Sequence, residues 1–155
     1  MTIHWPNGLA PEETTIHTRN ELLVDTDVET IWNILVDAPS WPGWYANARR
    51  VALDDVTELG PGTRFRWTTF NFRVDCVVTL FDPHRELAWT GTAFGTRGHH
   101  RWLLEPRPGG GALVAIEETQ RGLLPGVAGR WIRPCLLHWH QRWLEGLASA
   151  QPLRA

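Results

Sequence analysis

The chain has 155 residues, enough for one domain that buries roughly two-thirds of the surface of its unfolded state. Its 15 basic and 17 acidic residues leave a formal net charge of −2, so no strong field favours nucleic acid or anionic lipid head groups. No run of about 18 apolar residues could form a membrane span, and the N-terminus lacks a basic, then apolar signal sequence. We therefore expect a cytoplasmic protein with no nucleic-acid partner and no integral membrane association.

The most unusual feature of the composition is the presence of ten tryptophans. Each indole ring buries about 150–250 Å², and half as many rings would serve a core of this size. Two interpretations stay open: a heavily aromatic core, or an internal cavity with several rings in its wall.

The N-terminal part of the chain changes character twice. Residues 1–13 contain prolines, a glycine and glutamates without periodicity and predict a flexible or loosely docked leader. Residues 14–24 alternate between apolar and polar side chains, which predicts a first strand with Asn20 pointing inward. Asp25 or Thr26 is then the candidate cap of a helix whose apolar residues recur at helical spacing.

An aromatic segment follows the first helix. Pro39 and Pro42 end that helix and predict a short second one, which carries Trp41, Trp44 and Tyr45. Three bulky rings cannot all pack on one face of so short a helix. The segment therefore predicts the lid of a cavity.

The rest of the chain predicts six more strands and a long helix. The strands, separated by turn signals, are expected at 49–55, 63–70, 72–81, 86–93, 97–105 and 112–120. The helix is expected at 125–150, with a kink near Arg130 because Pro134 removes a backbone donor. Residues 14–150 then form one domain, and residues 151–155 form a tail.

Alternation along the strands predicts which side chains point inward. The expected inner rows are Phe65, Trp67 and Thr69; Phe72, Val74, Cys76, Val78 and Leu80; Leu87, Trp89 and Gly91; and Gly98, His100, Trp102 and Leu104. The outer face carries arginines that are expected to be solvated: Arg64, Arg66, Arg73, Arg97 and Arg101.

One polar pair is predicted on the inner face. Alternation places Glu118 inward and Glu117 toward solvent, and a buried carboxylate must be paired or hydrogen-bonded. His100 on the neighbouring strand is the expected partner, with Asn20 or Arg142 nearby. The pair is either structural, tying the sheet to the helix, or a general acid and base.

Other site chemistries find little support. His99 and His100 point to opposite faces of a strand, and His138 and His140 lie roughly 200° apart on a helix. Neither pair suits one metal ion, and the two cysteines have no metal-ligand spacing and are expected to be buried, reduced thiols. Dinucleotide and phosphate-loop motifs are absent. We expect no metal and no cofactor.

The segments VETIWNILVDAPSWPGWYANARRV and GHHRWLLEPRPGGGALVAIEETQRG, together with the closing helix, resemble the START/Bet v 1-like superfamily (SRPBCC). Within it they resemble the polyketide cyclase/dehydrase and lipid-transport group. The resemblance covers about residues 14–150. It implies an α+β helix-grip fold, in which a seven-stranded curved antiparallel sheet surrounds a long C-terminal helix and two short helices follow the first strand.

The resemblance and the tryptophan excess together favour binding or carriage of a hydrophobic small molecule, aromatic and polyketide-like or lipid-like, by a monomer or weak homodimer. The candidate ligand contacts are Asn20, Trp44, Trp67, Trp89, His100, Trp102, Glu118, Trp131, Cys135 and Trp139. One alternative is a polyketide aromatase/cyclase or dehydratase that uses His100 and Glu118. Another is self-sacrifice resistance, in which a bound enediyne attacks the backbone at an exposed glycine.

Overall fold

The fold is one antiparallel sheet that packs against a long helix. A computed structural model describes residues 5–150, so residues 1–4 and the predicted tail at 151–155 lie outside the described part. The strands, paired in the order β1-β7-β6-β5-β4-β3-β2, are β1 (Ile16–Val24), β2 (Arg49–Leu53), β3 (Arg64–Thr69), β4 (Phe72–Asp82), β5 (Glu86–Ala93), β6 (Thr96–Pro106) and β7 (Ala112–Gly122). This sheet and the helices below confirm the predicted helix-grip fold.

Two α-helices lie on the cavity side of the sheet: α1 (Val28–Val36) and α2 (Leu123–Ser149). Helix α2 starts two residues earlier than predicted, directly after β7, and continues through Pro134. It packs against β1 and β7. Within residues 5–150 no helix is both long and apolar enough to cross a bilayer.

The connection after β1 differs in detail from the prediction. Asp27, and not Asp25 or Thr26, caps α1, because the helix begins at Val28 and the Asp27 carboxylate accepts the Thr30 N–H at 2.9 Å. The predicted second short helix is a 3₁₀ segment at Ala38–Gly43. Its Trp41 is fully buried, and the indole N–H donates to the Leu35 carbonyl at 3.0 Å.

A register shift between Val78 and Leu80 interrupts the predicted inner row of β4. A bulge adds one residue to a strand and exchanges the faces beyond it. Leu80 is therefore exposed, and Phe81 takes the inward position, with its ring 5.0 Å from that of Trp32.

The outer face of the sheet is partly covered, which corrects two predictions. Arg101 and Glu117, expected in solvent, are buried, while Arg64, Arg66, Arg73 and Arg97 are exposed as predicted. Residues 5–13 pack on this face and do not form a loosely docked leader, since Leu9 is fully buried.

Candidate functional site

An internal cavity of about 650 Å³ lies between the inner face of the sheet, α2 and the segment after Ala38–Gly43. Its wall is mainly apolar and aromatic. The aromatic lining residues include Tyr45, Trp67, Trp89, Trp131, Trp139 and Trp143. A second depression of about 580 Å³ is wide open, carries Arg73, Asp75 and Arg121 on its surface, and offers no enclosed apolar wall for a ligand.

The rim of the cavity is exposed and apolar. Phe94 and Trp131 both line the cavity and are 79% and 62% exposed. Leu123 and Val127, also exposed, precede Trp131 at helical spacing of four residues on α2. A hydrophobic molecule entering the cavity would thus meet apolar surface before it leaves water.

A histidine–glutamate–histidine group forms the polar part of the cavity wall. The β6–β7 register places His100 directly opposite Glu118, and His140 approaches from α2. His100 Nδ1 and His140 Nε2 lie 2.8 Å and 2.9 Å from the same atom, Glu118 Oε2. We call these three residues the His–Glu–His triad.

Neighbouring side chains hold two members of the triad. Gln120 donates to the other Glu118 oxygen, Oε1, at 2.6 Å. Thr18 on β1 lies 3.5 Å from His140 Nδ1. The carboxylate and the His140 ring are each fixed from the side away from the shared oxygen.

The environment keeps Glu118 ionised. Burial alone would raise the pKa of its carboxyl, but hydrogen bonds and positive charge from His100 and His140 hold that pKa well below its usual range. Burial lowers the pKa of His100, against the opposing effect of Glu118. A charged carboxylate therefore lies in an otherwise largely apolar wall.

Stacked rings fix the position of His100. The imidazole lies nearly parallel to Trp89, with 4.6 Å between ring centroids. Trp89 in turn stacks on Trp41 at 5.5 Å, and Tyr45 stacks on Trp143 at 4.6 Å. Such contacts restrict ring rotation, so the aromatic cluster sets the direction of the His100 nitrogens.

The structure brings most of the predicted contact residues to the cavity and leaves three away from it. The residues in the wall are Trp67, Trp89, His100, Glu118, Trp131, Cys135 and Trp139. Trp102 is instead fully buried in the core. The Asn20 amide ties β1 to α2 by donating to the Leu137 carbonyl at 3.0 Å. The Trp44 indole N–H donates to Ser40 Oγ.

Two expectations about polar neighbours and thiols are also corrected. Arg142 is exposed and pairs with Glu145 on the same helix, 3.2 Å away, because its position on α2 faces solvent. His140 fills the place expected for Arg142. Cys135, expected to be buried, is exposed where it lines the cavity.

His140 is the residue that sequence reasoning missed. The two histidine pairs are split as predicted, since His99 lies on the opposite face from His100 and His138 is exposed. One member of each pair nevertheless reaches Glu118. A signal was available: His140 lies four residues after Leu136 and three before Trp143, which places it on the buried face of α2.

Comparisons with known proteins agree with this fold. A hypothetical protein from Helicobacter pylori is 30% identical, with 96% of this chain and 95% of that chain covered and a TM-score of 0.87. The Zhui aromatase/cyclase of Streptomyces sp. R1128 has the same fold at 14% identity, with 86% and 91% covered and a TM-score of 0.73. No curated protein matches the sequence. The family model described as polyketide cyclase/dehydrase and lipid transport matches residues 15–151, and the chain belongs to that family.

Proposed function

We propose that the protein binds an aromatic, oxygen-bearing small molecule of polyketide type in its internal cavity. The observation that carries this proposal is the combination of aromatic walls and a buried His–Glu–His triad in one cavity of about 650 Å³. Small-molecule pockets typically measure about 300–1,000 Å³ and combine apolar walls with a few polar groups. Membership of the family supports the same class of ligand.

The triad favours a ligand with hydroxyl groups over a plain hydrocarbon chain. An alkyl chain packed on Glu118 and His100 would remove both from polar surroundings without replacing a hydrogen bond, which costs free energy. A phenolic hydroxyl can donate to the Glu118 carboxylate or to His100 Nε2, which has no hydrogen-bond partner among the described residues. Indole faces such as that of Trp139 offer stacking surface for the ring system.

Quenching of intrinsic tryptophan fluorescence tests the proposal. We expect saturable quenching by hydroxylated polycyclic aromatics, and at least tenfold weaker binding of a saturated fatty acid of similar length, a difference of about 1.4 kcal/mol. Cys135→Phe should weaken binding because it fills space at the cavity wall. Cys135→Ser is the matched control and should bind like the wild type. No response across both ligand classes, or unchanged binding by Cys135→Phe, would refute the proposal.

A second candidate is proton transfer on the bound ligand. The observation that favours it is that Glu118 Oε2 lies within hydrogen-bond distance of two imidazole nitrogens in the cavity wall. A carboxylate there can remove a proton from the carbon beside a ligand carbonyl, and an imidazole can return a proton to an oxygen that leaves as water. The net reaction is a dehydration, in which a C–H and a C–O bond break, a C=C bond forms and water leaves. Where the carbanion first attacks a second carbonyl carbon of the same ligand, the new carbon–carbon bond followed by loss of water gives an aromatising cyclisation.

Turnover of a cyclisable poly-β-keto substrate tests this candidate separately from binding. Glu118→Gln keeps the shape of the side chain but removes the base, and it should lower turnover by about 100-fold or more. His138→Gln, on the exposed face of α2, is the control and should leave turnover unchanged. Full turnover by both Glu118→Gln and His100→Ala would exclude the role in catalysis while leaving the binding proposal intact.

A further inference from the structure

The His–Glu–His triad gathers one ligand-type atom from each of three elements. One side-chain nitrogen of His100, one of His140 and one oxygen of Glu118 all lie within 4.8 Å of one another. Two imidazoles and one carboxylate are a common donor set for divalent transition metals that retain open coordination positions. The three residues belong to β6, α2 and β7, so tertiary folding alone brings them together.

The distances fit a shared ion. Nitrogen and carboxylate ligands bind zinc at about 2.0–2.2 Å, so two ligand atoms on neighbouring corners of an octahedron lie about 3 Å apart. The two nitrogen-to-Oε2 separations are 2.8 Å and 2.9 Å. A small rotation of the Glu118 carboxylate would also open the wider spacing of a tetrahedral site.

The surroundings supply outer contacts of the kind that metal sites use to two of the three ligands, His140 and Glu118. Metal-bound imidazoles usually have their second nitrogen held, and metal-bound carboxylates are themselves hydrogen-bonded. Thr18 lies 3.5 Å from the second nitrogen of His140, and Gln120 donates to the second oxygen of Glu118. These partners orient both ligands before any ion arrives.

Charge balance also favours a cation. Over residues 5–150, the ion-pair partners of Glu118 are the two imidazoles, and no arginine pairs with it. A carboxylate removed from water requires positive charge nearby. A divalent ion bound beside Glu118 would supply that charge in place of the imidazole protons, because histidine ligates a metal through a deprotonated ring nitrogen.

We propose that His100, Glu118 and His140 bind one divalent first-row transition-metal ion, such as Zn²⁺, with its open positions directed into the cavity. The triad lines that cavity, so a bound ligand oxygen could complete the coordination. The site would hold an oxygen-bearing ligand by direct coordination in addition to hydrogen bonds. The inference does not rest on the proposed function, because metal uptake is measured without any organic ligand.

Titration of the full-length, untagged protein with Co²⁺ after removal of metals by a chelator tests the site. We expect one Co²⁺ per chain, visible absorption bands of nitrogen and oxygen ligation, and displacement by Zn²⁺. His140→Ala, His100→Ala and Glu118→Ala should each weaken binding by about 100-fold or more. His138→Ala is the matched control, because His138 is exposed two residues away on the same helix, and it should bind Co²⁺ like the wild type.

A milder variant covers the case in which removal of a ligand unfolds the protein. Thr18→Val keeps all three ligands and removes only the hydroxyl beside His140, so it should weaken binding by about tenfold and alter the Co²⁺ bands. A wild-type protein that takes up no ion in the millimolar range would overturn the inference. Equal binding by wild type, His140→Ala and Thr18→Val would overturn it as well. Binding of the aromatic ligand is measured separately on the chelator-treated protein. Failure of the metal site can therefore be distinguished from failure of the proposed function.

Discussion

The guanidinium of Arg101 lies over the ring of Trp5, 5.2 Å from the ring centroid, although Arg101 is on the face of the sheet opposite to the cavity. His99 makes an edge contact with the same ring, at 5.3 Å between centroids. Thr119 on β7 donates to the Leu9 carbonyl at 2.7 Å. The segment before β1 therefore covers the outer side of β6 and β7, the strands that carry His100 and Glu118 on their inner side.

Truncation of Leu9 tests whether this cover contributes to stability. Leu9 is fully buried, so Leu9→Ala should lower the free energy of unfolding by about 2–5 kcal/mol. Leu23→Ala is the control, since Leu23 is 62% exposed, and it should change that free energy little. Urea unfolding followed by tryptophan fluorescence measures both variants. Equal stability of Leu9→Ala and Leu23→Ala would mean that the segment does not hold the outer face in solution.

The cover explains why the outer face was predicted incorrectly. Alternation along β6 and β7 separates the two faces of the sheet correctly, with His100 inward and Arg101 outward. It carries no information about what lies on each face. A buried outer face requires a distant segment with a few apolar residues, and in residues 5–13 the large apolar side chains are only Trp5 and Leu9, among prolines and polar residues.

The candidate site also has one contact that could be predicted from the sequence and one that could not. The contact between His100 and Glu118 follows from strand alternation and from the adjacency of β6 and β7, and both were accessible from the sequence. The approach of His140 depends on how α2 rotates and slides across the sheet. Contacts such as Asn20 to the Leu137 carbonyl fix that docking, and no local sequence pattern specifies it.

Asp27 gives a prediction about pH. The backbone N–H and the side-chain hydroxyl of Thr30 lower the pKa of Asp27 below its ordinary value of 3.8. A carboxyl with a depressed pKa in the folded state adds stability above the unfolded pKa and loses it as pH falls through the folded pKa. Asp27→Ala should therefore lower Tm at neutral pH, with a smaller difference from wild type below pH 3.8. Asp27→Asn keeps a hydrogen-bond acceptor that does not titrate. Its Tm at neutral pH should therefore lie between the Tm of Asp27→Ala and that of the wild type. A Tm difference independent of pH would contradict this account.

The two cysteines should differ in reactivity, which reports on the cavity. Cys76 is buried, and burial raises the pKa of its thiol to about 12, whereas Cys135 is exposed and lines the cavity. An Ellman-type reagent should modify one thiol per chain quickly and the second only on unfolding. A bound aromatic ligand should slow the fast reaction, and Cys135→Ser should abolish it. Rapid modification of both thiols in the folded protein would show that the inner sheet face is open to solvent.

Two glycines of α2 should respond to alanine in opposite directions. A Cβ at Gly146 would clash with the Trp44 carbonyl oxygen, which belongs to the backbone next to the Ala38–Gly43 segment and cannot rotate away. Gly146→Ala should therefore lower the free energy of unfolding by about 1–3 kcal/mol, the usual cost of overpacking.

Gly126 is the matched control because a Cβ there meets no atom within 4 Å. Gly126→Ala should raise the free energy of unfolding by about 0.5–1 kcal/mol, since alanine favours the helix over glycine. Chemical unfolding of both variants measures the two signs directly. Stabilisation by Gly146→Ala would show that α2 and the backbone of Trp44 are not in close contact. The opposite signs are expected because both substitutions replace glycine by alanine and so bring the same gain in helix propensity. Only Gly146 lies against the backbone of Trp44, so only its alanine variant also creates a clash.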